Sequence, residues 1–221
     1  METNDILFEK HGHISMATFQ RPAVLNAFRQ ATLRDFITIL DDVAADPDVR
    51  VLVLTGTGRA FSAGIDLKEL GDSAANIPTL KQIYDDLQTT QDVTRRMVHM
   101  PKVIVSAVNG IAVGIGVEIA LASDIRLAAV SATFAFTEVK RALFETNGVM
   151  YILPRLVGQG RALQMLLTGE RVAAQEALAA GLVTRVAPDD QLLETALAMA
   201  ATIAANAPIS VRLVKQVMQR S

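Results

Sequence analysis

Two rhythms alternate along this chain. Residues 6–9 and 13–19 switch between apolar and polar with a period of two on either side of His11-Gly12, which predicts an antiparallel hairpin. Across residues 26–45 the apolar positions Leu33, Phe36, Ile37, Leu40 and Val43 recur at helical spacing, and Asp46-Pro47 closes the run. Residues 49–55 are apolar almost throughout, as in a strand buried on both faces. A glycine-containing loop over 56–64 follows, and Asp66 is placed to cap a short helix through Leu70. The small, polar stretch 71–78 reads as a mobile connection, and 80–97 as a long amphipathic helix stopped by Pro101.

The succession then repeats. A strand is expected at 103–108, a helix opening at 117–122, a strand at 125–130 and a short extended piece at 133–136. Helices follow at 149–156, 162–167 and 174–180, a strand at 182–186, and helices at 189–205 and 209–218 on either side of Pro208. Strand-helix recurrence of this kind predicts an α/β fold with parallel pairing. No linker divides it. Residues 1–221 read as a single domain, with a core over about 1–188 and a helical C-terminal part over about 189–221.

Composition narrows the chemistry. Net charge is −2 with no long lysine or arginine run, which argues against a nucleic-acid partner. The chain has no cysteine, so disulfides, thiolate metal sites and a cysteine nucleophile are excluded. His11, His13 and His99 have no metal-ligand spacing and read as surface residues, so no metal is expected. No apolar run reaches the ~18 residues needed to span a membrane. The opening M-E-T-N-D resembles no targeting segment, and the expected setting is cytoplasmic.

Residues 109–124, N-G-I-A-V-G-I-G-V-E-I-A-L-A-S-D, stand out against this background. Glycines at 110, 114 and 116 make a tight turn between a buried strand and a helix start, where backbone N–H groups lack helical partners. Glu118 is the only charged residue between Lys102 and Asp124. Buried, it needs a partner or a proton, and desolvation raises its pKa toward the range useful for proton transfer. From periodicity alone the other reading is a solvated helix edge. The loop Arg59-Ala60-Phe61-Ser62-Ala63-Gly64-Ile65-Asp66 repeats the strand-to-helix arrangement, and alone it is an ordinary connection. Two such turns could aim two N–H groups at one oxygen. Glu138, just past Thr133-Phe134-Ala135-Phe136-Thr137, is either a proton-handling acid or a plain strand-end charge.

Several short stretches follow in a telling order. They are Arg21-Pro22 with Asn26-Ala27; Val51-Leu52-Val53-Leu54-Thr55-Gly56; Ala60-Phe61-Ser62-Ala63-Gly64-Ile65-Asp66-Leu67-Lys68; and Pro101-Lys102 with Ala107-Val108-Asn109-Gly110. Then come residues 114–118, Ala120-Leu121-Ala122-Ser123-Asp124, residues 134–138, Leu153-Pro154-Arg155-Leu156-Val157-Gly158, and Gly181-Leu182-Val183. In this order the chain resembles the enoyl-CoA hydratase/isomerase (crotonase) superfamily over nearly its whole length. The resemblance implies a crotonase-like spiral of ββα units with a short helical C-terminal part, binding an acyl-CoA thioester. It implies that the thioester oxygen accepts from the N–H groups of Ile65 and Ile115. The Ala63 carbonyl would meet the adenine, Ala23 and Leu25 would lie along CoA, and Lys68 would sit near its phosphates. Glu118 and Glu138 would handle water and proton, as in the hydratase branch. The activity implied is hydration of a 2-enoyl-CoA, with coenzyme A entering as part of the substrate and no separate cofactor. A Δ3,Δ2-enoyl-CoA isomerase is the same-class alternative. A non-catalytic acyl-CoA-binding protein on the same fold is the other. The implied assembly is a homotrimer or hexamer.

Four departures from the family pattern qualify these expectations. Ile115 stands where a glycine is usual, and its side chain is expected to crowd the turn and limit the acyl group. Ala23 replaces a CoA-contacting lysine, which lowers the expected affinity. The Pro-Gly turn after Glu138 is replaced by Lys140-Arg141-Ala142-Leu143-Phe144-Glu145-Thr146-Asn147-Gly148. Glu145 within it is read as a surface charge or a partner of Arg141 one helical turn back. The resemblance also makes it a candidate third acid, as in some isomerases. Finally, the chain ends at Ser221, some tens of residues before the usual family end, so a more open site and a weaker assembly are expected.

Overall fold

The hairpin at His11-Gly12 forms as expected: β1 (Ile6–His11) and β2 (Ile14–Phe19) pair antiparallel, with Ile6 opposite Phe19. The structure, a computed structural model, describes residues 5–66, 68 and 79–219. The helix α1 (Gln30–Ala45) begins four residues later than its periodicity suggests. The cause is local. Pro22 opens a 3-10 turn over Pro22–Val24, and Leu25 and Asn26 both take left-handed backbone angles, with φ of 54° and 56°. Asn26 is drawn out of the helix because its side chain serves as a buried bracket. It accepts from Arg21 N–H at 2.8 Å and donates to Thr57 O at 2.9 Å and Ala60 O at 2.7 Å.

The next three turns of chain share one plan. Each lays a strand in one sheet, a three-residue strand in a second sheet, and then a helix. The first turn is β3 (Val51–Gly56), β4 (Ala60–Ser62) and α2 (Leu80–His99). The second is β5 (Val103–Val108), β6 (Ile111–Val113) and α3 (Ile115–Ala122). The third is β7 (Ile125–Ala129), β8 (Thr133–Ala135), a 3-10 turn over Glu138–Arg141 and α4 (Val149–Val157). The chain continues through α5 (Gln159–Thr168), β9 (Val172–Ala173), α6 (Ala174–Ala179) and β10 (Arg185–Ala187), and on to α7 (Leu192–Ala204) and α8 (Pro208–Met218). The large sheet runs β1-β2-β3-β5-β7-β10, and the small one β4-β6-β8-β9. All pairings from β2 to β10 across the large sheet are parallel, which agrees with the apolar runs of β3 and β5.

The short strands β4, β6 and β9 lie in stretches read from sequence as loops, and β10 starts three residues late. Leu182 and Val183 are buried, but their N–H groups turn back to Ala177 O instead of joining the sheet. The connection at 71–78 and the helix expected through Leu70 lie outside the described residues. Asp66 Oδ1 accepts from Lys68 N–H at 3.2 Å.

Four phenylalanines brace the first turn. Phe19 meets the rings of Phe28, Phe36 and Phe61 edge-on at 4.8, 5.5 and 5.3 Å between centroids. Phe28 and Phe61 flank the Ala63–Ile65 loop, so this cluster fixes the backbone beside it. At the other end, Lys215 of α8 is buried. Its ammonium donates to Met97 O, Lys102 O and Asp124 Oδ2 at 3.1, 2.9 and 2.8 Å, which ties the last helix to the body. Among the described residues no single helix is long and apolar enough to cross a membrane. The three histidines are exposed, as expected.

Candidate active site

Three neighbouring parallel strands converge on one place. In the small sheet, Ala60 pairs with Ile111 and Ser62 with Ala112, while Ile111, Ala112 and Val113 pair with Thr133, Phe134 and Ala135. The C-terminal ends of β4, β6 and β8 therefore lie side by side, where ligands commonly sit in α/β sheets. Ile65, Ile115 and Glu138 follow those ends within two or three residues. Gly114 N–H donates to Ala135 O at 3.2 Å, stitching the second end to the third.

The backbone at these ends leaves amides free. Ile65 forms a parallel bridge with Phe28, in which Phe28 N–H donates to Gly64 O and Asp66 N–H to Phe28 O, both at 2.8 Å. That pattern bypasses the N–H of Ile65 itself. Ile115 is the first residue of α3, where helical geometry supplies its N–H with no partner. Gly114 before it has φ 54° and ψ −129°, a combination that side-chain-bearing residues avoid. A Cβ there would stand 2.8 Å from Glu138 Oε1 and 3.9 Å from Gly64 Cα, so both loops and the acid crowd around this glycine. The β-branched Ile115 sits on unstrained backbone, and its side chain is buried with the core. The special geometry thus belongs to residue 114.

Every residue of α3 is buried, and Glu118, one turn in, is only 4 % exposed. The solvated-edge reading is overturned. Burial raises the Glu118 pKa and the nearby charge of Glu138 raises it further, while hydrogen bonds from Glu145 and Asn147 pull it down. Asn147 Nδ2 donates to Glu118 Oε2. The first-turn position at the helix N-terminus also favours a carboxylate.

Glu145 corrects the sequence reading outright. It is 6 % exposed and is no surface charge. Nor does it lie one helical turn from Arg141: the 3-10 turn ends there, and Ala142 takes a left-handed φ of 56° that redirects the chain inward. Gln91 of α2 donates to Thr146 O at 3.3 Å and holds the returning loop. Glu118 and Glu138 are the neighbouring carboxyls that act on Glu145. Burial, followed by those two neighbours, pushes its pKa up to about 11. Asn147, only 5 % exposed, went unrecognised in the sequence; the Asn-Gly pair reads simply as a turn.

The residues expected along CoA also come together. Ala63 N–H donates to Leu25 O at 2.9 Å, placing the 22–25 turn against the Ala63 loop. Ala23 and Lys68 are exposed at this end. Arg21 binds Asp66 at 2.9 Å and Ala27 O at 2.5 Å, locking the turn to the start of the following segment. Asn109 donates to Gly58 O at 2.9 Å and Ala60 O at 3.2 Å, so with Asn26 it brackets the approach to β4. Among the described residues no group of three or more His, Asp or Glu is arranged to hold a metal ion. A separate cleft of about 300 Å³ between Ala44, Lys102 and Arg212 shares no lining residue with the acids.

The profile of the enoyl-CoA hydratase/isomerase family matches residues 9–221. The chain belongs to this family. It is 36 % identical over 221 residues to a short-chain-enoyl-CoA hydratase of Clostridium acetobutylicum, covering all of this chain and 83 % of that one. It is 40 % identical over 213 residues to an (E)-benzylidenesuccinyl-CoA hydratase of Thauera aromatica, covering 96 % of this chain and 80 % of that one. Among solved structures, an enoyl-CoA hydratase from Bacillus anthracis superposes with a TM-score of 0.91 at 36 % identity, over 97 % of this chain and 82 % of that one. The crotonase-like spiral is thereby established. Within this family member, the sequence-predicted acids Glu118 and Glu138 share one site and are joined there by Glu145.

Proposed function

We propose that this chain is an acyl-CoA lyase that adds water across the double bond of a 2-enoyl-CoA. What supports the reading is that the adjacent ends of β4, β6 and β8 bring Ile65, Ile115 and Glu138 together, with Glu118 buried one turn into α3. The thioester oxygen accepts from the two amides. Attack of water at Cβ drives electron density onto that oxygen, where preorganised donors stabilise the enolate; one such donor is worth ~3–4 kcal/mol. Glu118 takes a proton from the attacking water, and Glu138 delivers one to Cα. Oxygen and two hydrogens enter, one C=C bond is lost, and no redox partner is needed. Coenzyme A is held by Leu25, Ala63 and Lys68, with Ala23 contributing backbone alone, and no further cofactor is required.

The test is a panel of short, medium and aromatic 2-enoyl-CoAs with product mass. Gain of one water by any of them, lost by at least ~100-fold in Glu118→Gln and Glu138→Gln, supports the reading. Full activity in both variants refutes it. The third acid favours one second reading, isomerisation of a 3-enoyl-CoA by a carboxyl that carries a proton between carbons; the product then keeps the substrate mass. The reading includes self-assembly as a homotrimer or hexamer, supported by the exposed Ile209, Val214, Val217 and Met218 along α8 and read by light scattering. A cytoplasmic setting is supported by the cysteine-free composition.

A further inference from the structure

Glu145 is the acid the two-carboxylate mechanism does not use, yet the fold takes trouble to bring it inside. Its loop leaves the 3-10 turn through a left-handed alanine, is held by Gln91, and returns to α4 through Gly148. It is buried, with Glu118 and Glu138 as its neighbouring carboxyls. Three of the buried polar atoms in this corner, Glu138 Oε2, Glu145 Oε2 and Asn147 Oδ1, find no protein N–H or O–H donor. Three carboxyls gathered in one place with a single amide donor cannot all be ionised, because like charges at close range exclude one another. At least one of them must hold a proton.

We propose that Glu145 keeps a proton throughout, besides the one Glu138 delivers: it is a positioning residue that stays a neutral carboxylic acid and orients the Glu118 carboxylate by donating its O–H to it, with Glu138 alongside. This deepens the hydration reading and rests on it for the identity of the oriented groups. The assignment follows from position. Glu118 is already served by Asn147 and stands at a helix N-terminus that favours its charge, whereas no protein donor meets Glu145 Oε2. The high pKa of Glu145 agrees. Glu145 neither meets the substrate nor changes its proton count during turnover. It differs in this from an isomerase base, whose proton must leave and return.

The two roles separate on substitution. Glutamine is neutral, of the same shape, and carries two N–H donors, but exchanges no proton; alanine and leucine donate nothing. Glu145→Ala and Glu145→Leu should each lower kcat for hydration about 100-fold with little change in KM, and Glu145→Gln should recover to within about fivefold of the parent. A Glu145→Gln variant as impaired as Glu145→Ala, with both folded by circular dichroism, means that Glu145 exchanges its proton, and overturns the proposal. So does an unimpaired Glu145→Ala. A second readout does not depend on turnover. Infrared difference spectra of the parent at about pH 8 should show a protonated carboxyl C=O stretch that Glu145→Gln lacks. Absence of that band, or its persistence in Glu145→Gln, overturns the proposal. A protein that hydrates no enoyl-CoA but shows the band refutes the functional reading and leaves the proton assignment standing.

Discussion

Gly114→Ala is the sharpest probe of how the site is built. Residue 114 links β6 to α3 with φ 54° and ψ −129°, so any Cβ there is strained, at ~1–3 kcal/mol. The added methyl would also arrive 2.8 Å from Glu138 Oε1. A comfortable contact is about 3.5 Å, so the carboxyl, the turn, or both must yield by about 0.7 Å. The turn carries the Ile115 amide, so the acid and the donor are disturbed together. A misplacement of 1 Å costs roughly 100-fold, so a displacement of about 0.7 Å should lower kcat about 25-fold. The strain alone should lower Tm by about 2–12 °C for a chain of this size.

The assay is loss of enoyl-thioester absorbance with crotonyl-CoA, beside a thermal melt of the same sample. Gly12→Ala supplies the control. Gly12 is also left-handed, at φ 61°, but a Cβ there meets nothing within 4 Å and the hairpin tip lies away from the acids. It should lower Tm and leave kcat alone. The reasoning fails if Gly114→Ala keeps the parent kcat, or if both glycine variants lose activity in proportion to stability.

Three further outcomes follow from the same geometry. Glu145 ionises near 4.5 in an unfolded chain and near 11 when folded, so folding takes up a proton between those values. Its stabilising share is complete below pH 4.5 and declines as pH rises toward about 11, by at most ~1.4 kcal/mol per pH unit. Glu145→Gln has no such decline, so its Tm should gain on the parent steadily from about pH 5 to about pH 9, and a constant difference would contradict this. Asn26→Ala leaves Arg21 N–H, Thr57 O and Ala60 O without their bracket; stability should fall by about 2–3 kcal/mol, and KM for the CoA ester should rise more than kcat falls. Lys215→Met leaves Asp124 with Ile104 N–H but no cation, and takes a donor from two carbonyls, costing about 3 kcal/mol; limited proteolysis should then cut faster between α7 and α8.

The long elements were legible because burial writes itself into many residues. The buried strands β3 and β5 show as unbroken apolar runs, and Glu118 shows as the one charge in such a run. Strands of three residues have no room for a period. The segments 60–62 and 111–113 therefore read as loop, although their pairing aligns the site. The helical spacing over 26–45 put Asn26 at the opening of a helix; its amide was instead committed to three backbone groups, those of Arg21, Thr57 and Ala60. Glu145 misled for a related reason. The spacing 141 to 145 implies one helical turn only if the helix continues, and a left-handed Ala142 ends it. Backbone reversal at a residue other than glycine leaves no mark in the sequence.

That contrast has a mechanical side. The Ile65 amide, the Ile115 amide and Glu138 hang from three parallel strands whose hydrogen bonds fix their mutual register. Sliding any one strand moves its functional group against the other two, so these three cannot be tuned separately. The loop over residues 142–147 is outside that ladder, held by one glutamine from α2 and by Asn147 on Glu118. It can be rebuilt without shifting the amides. A third acid introduced there adjusts the proton state of the other two while the oxyanion geometry stays as the strands set it. Chemistry in this fold can therefore change at the carboxyls while the thioester is held in the same way. Hydration and isomerisation of closely similar thioesters are separated by where one proton rests.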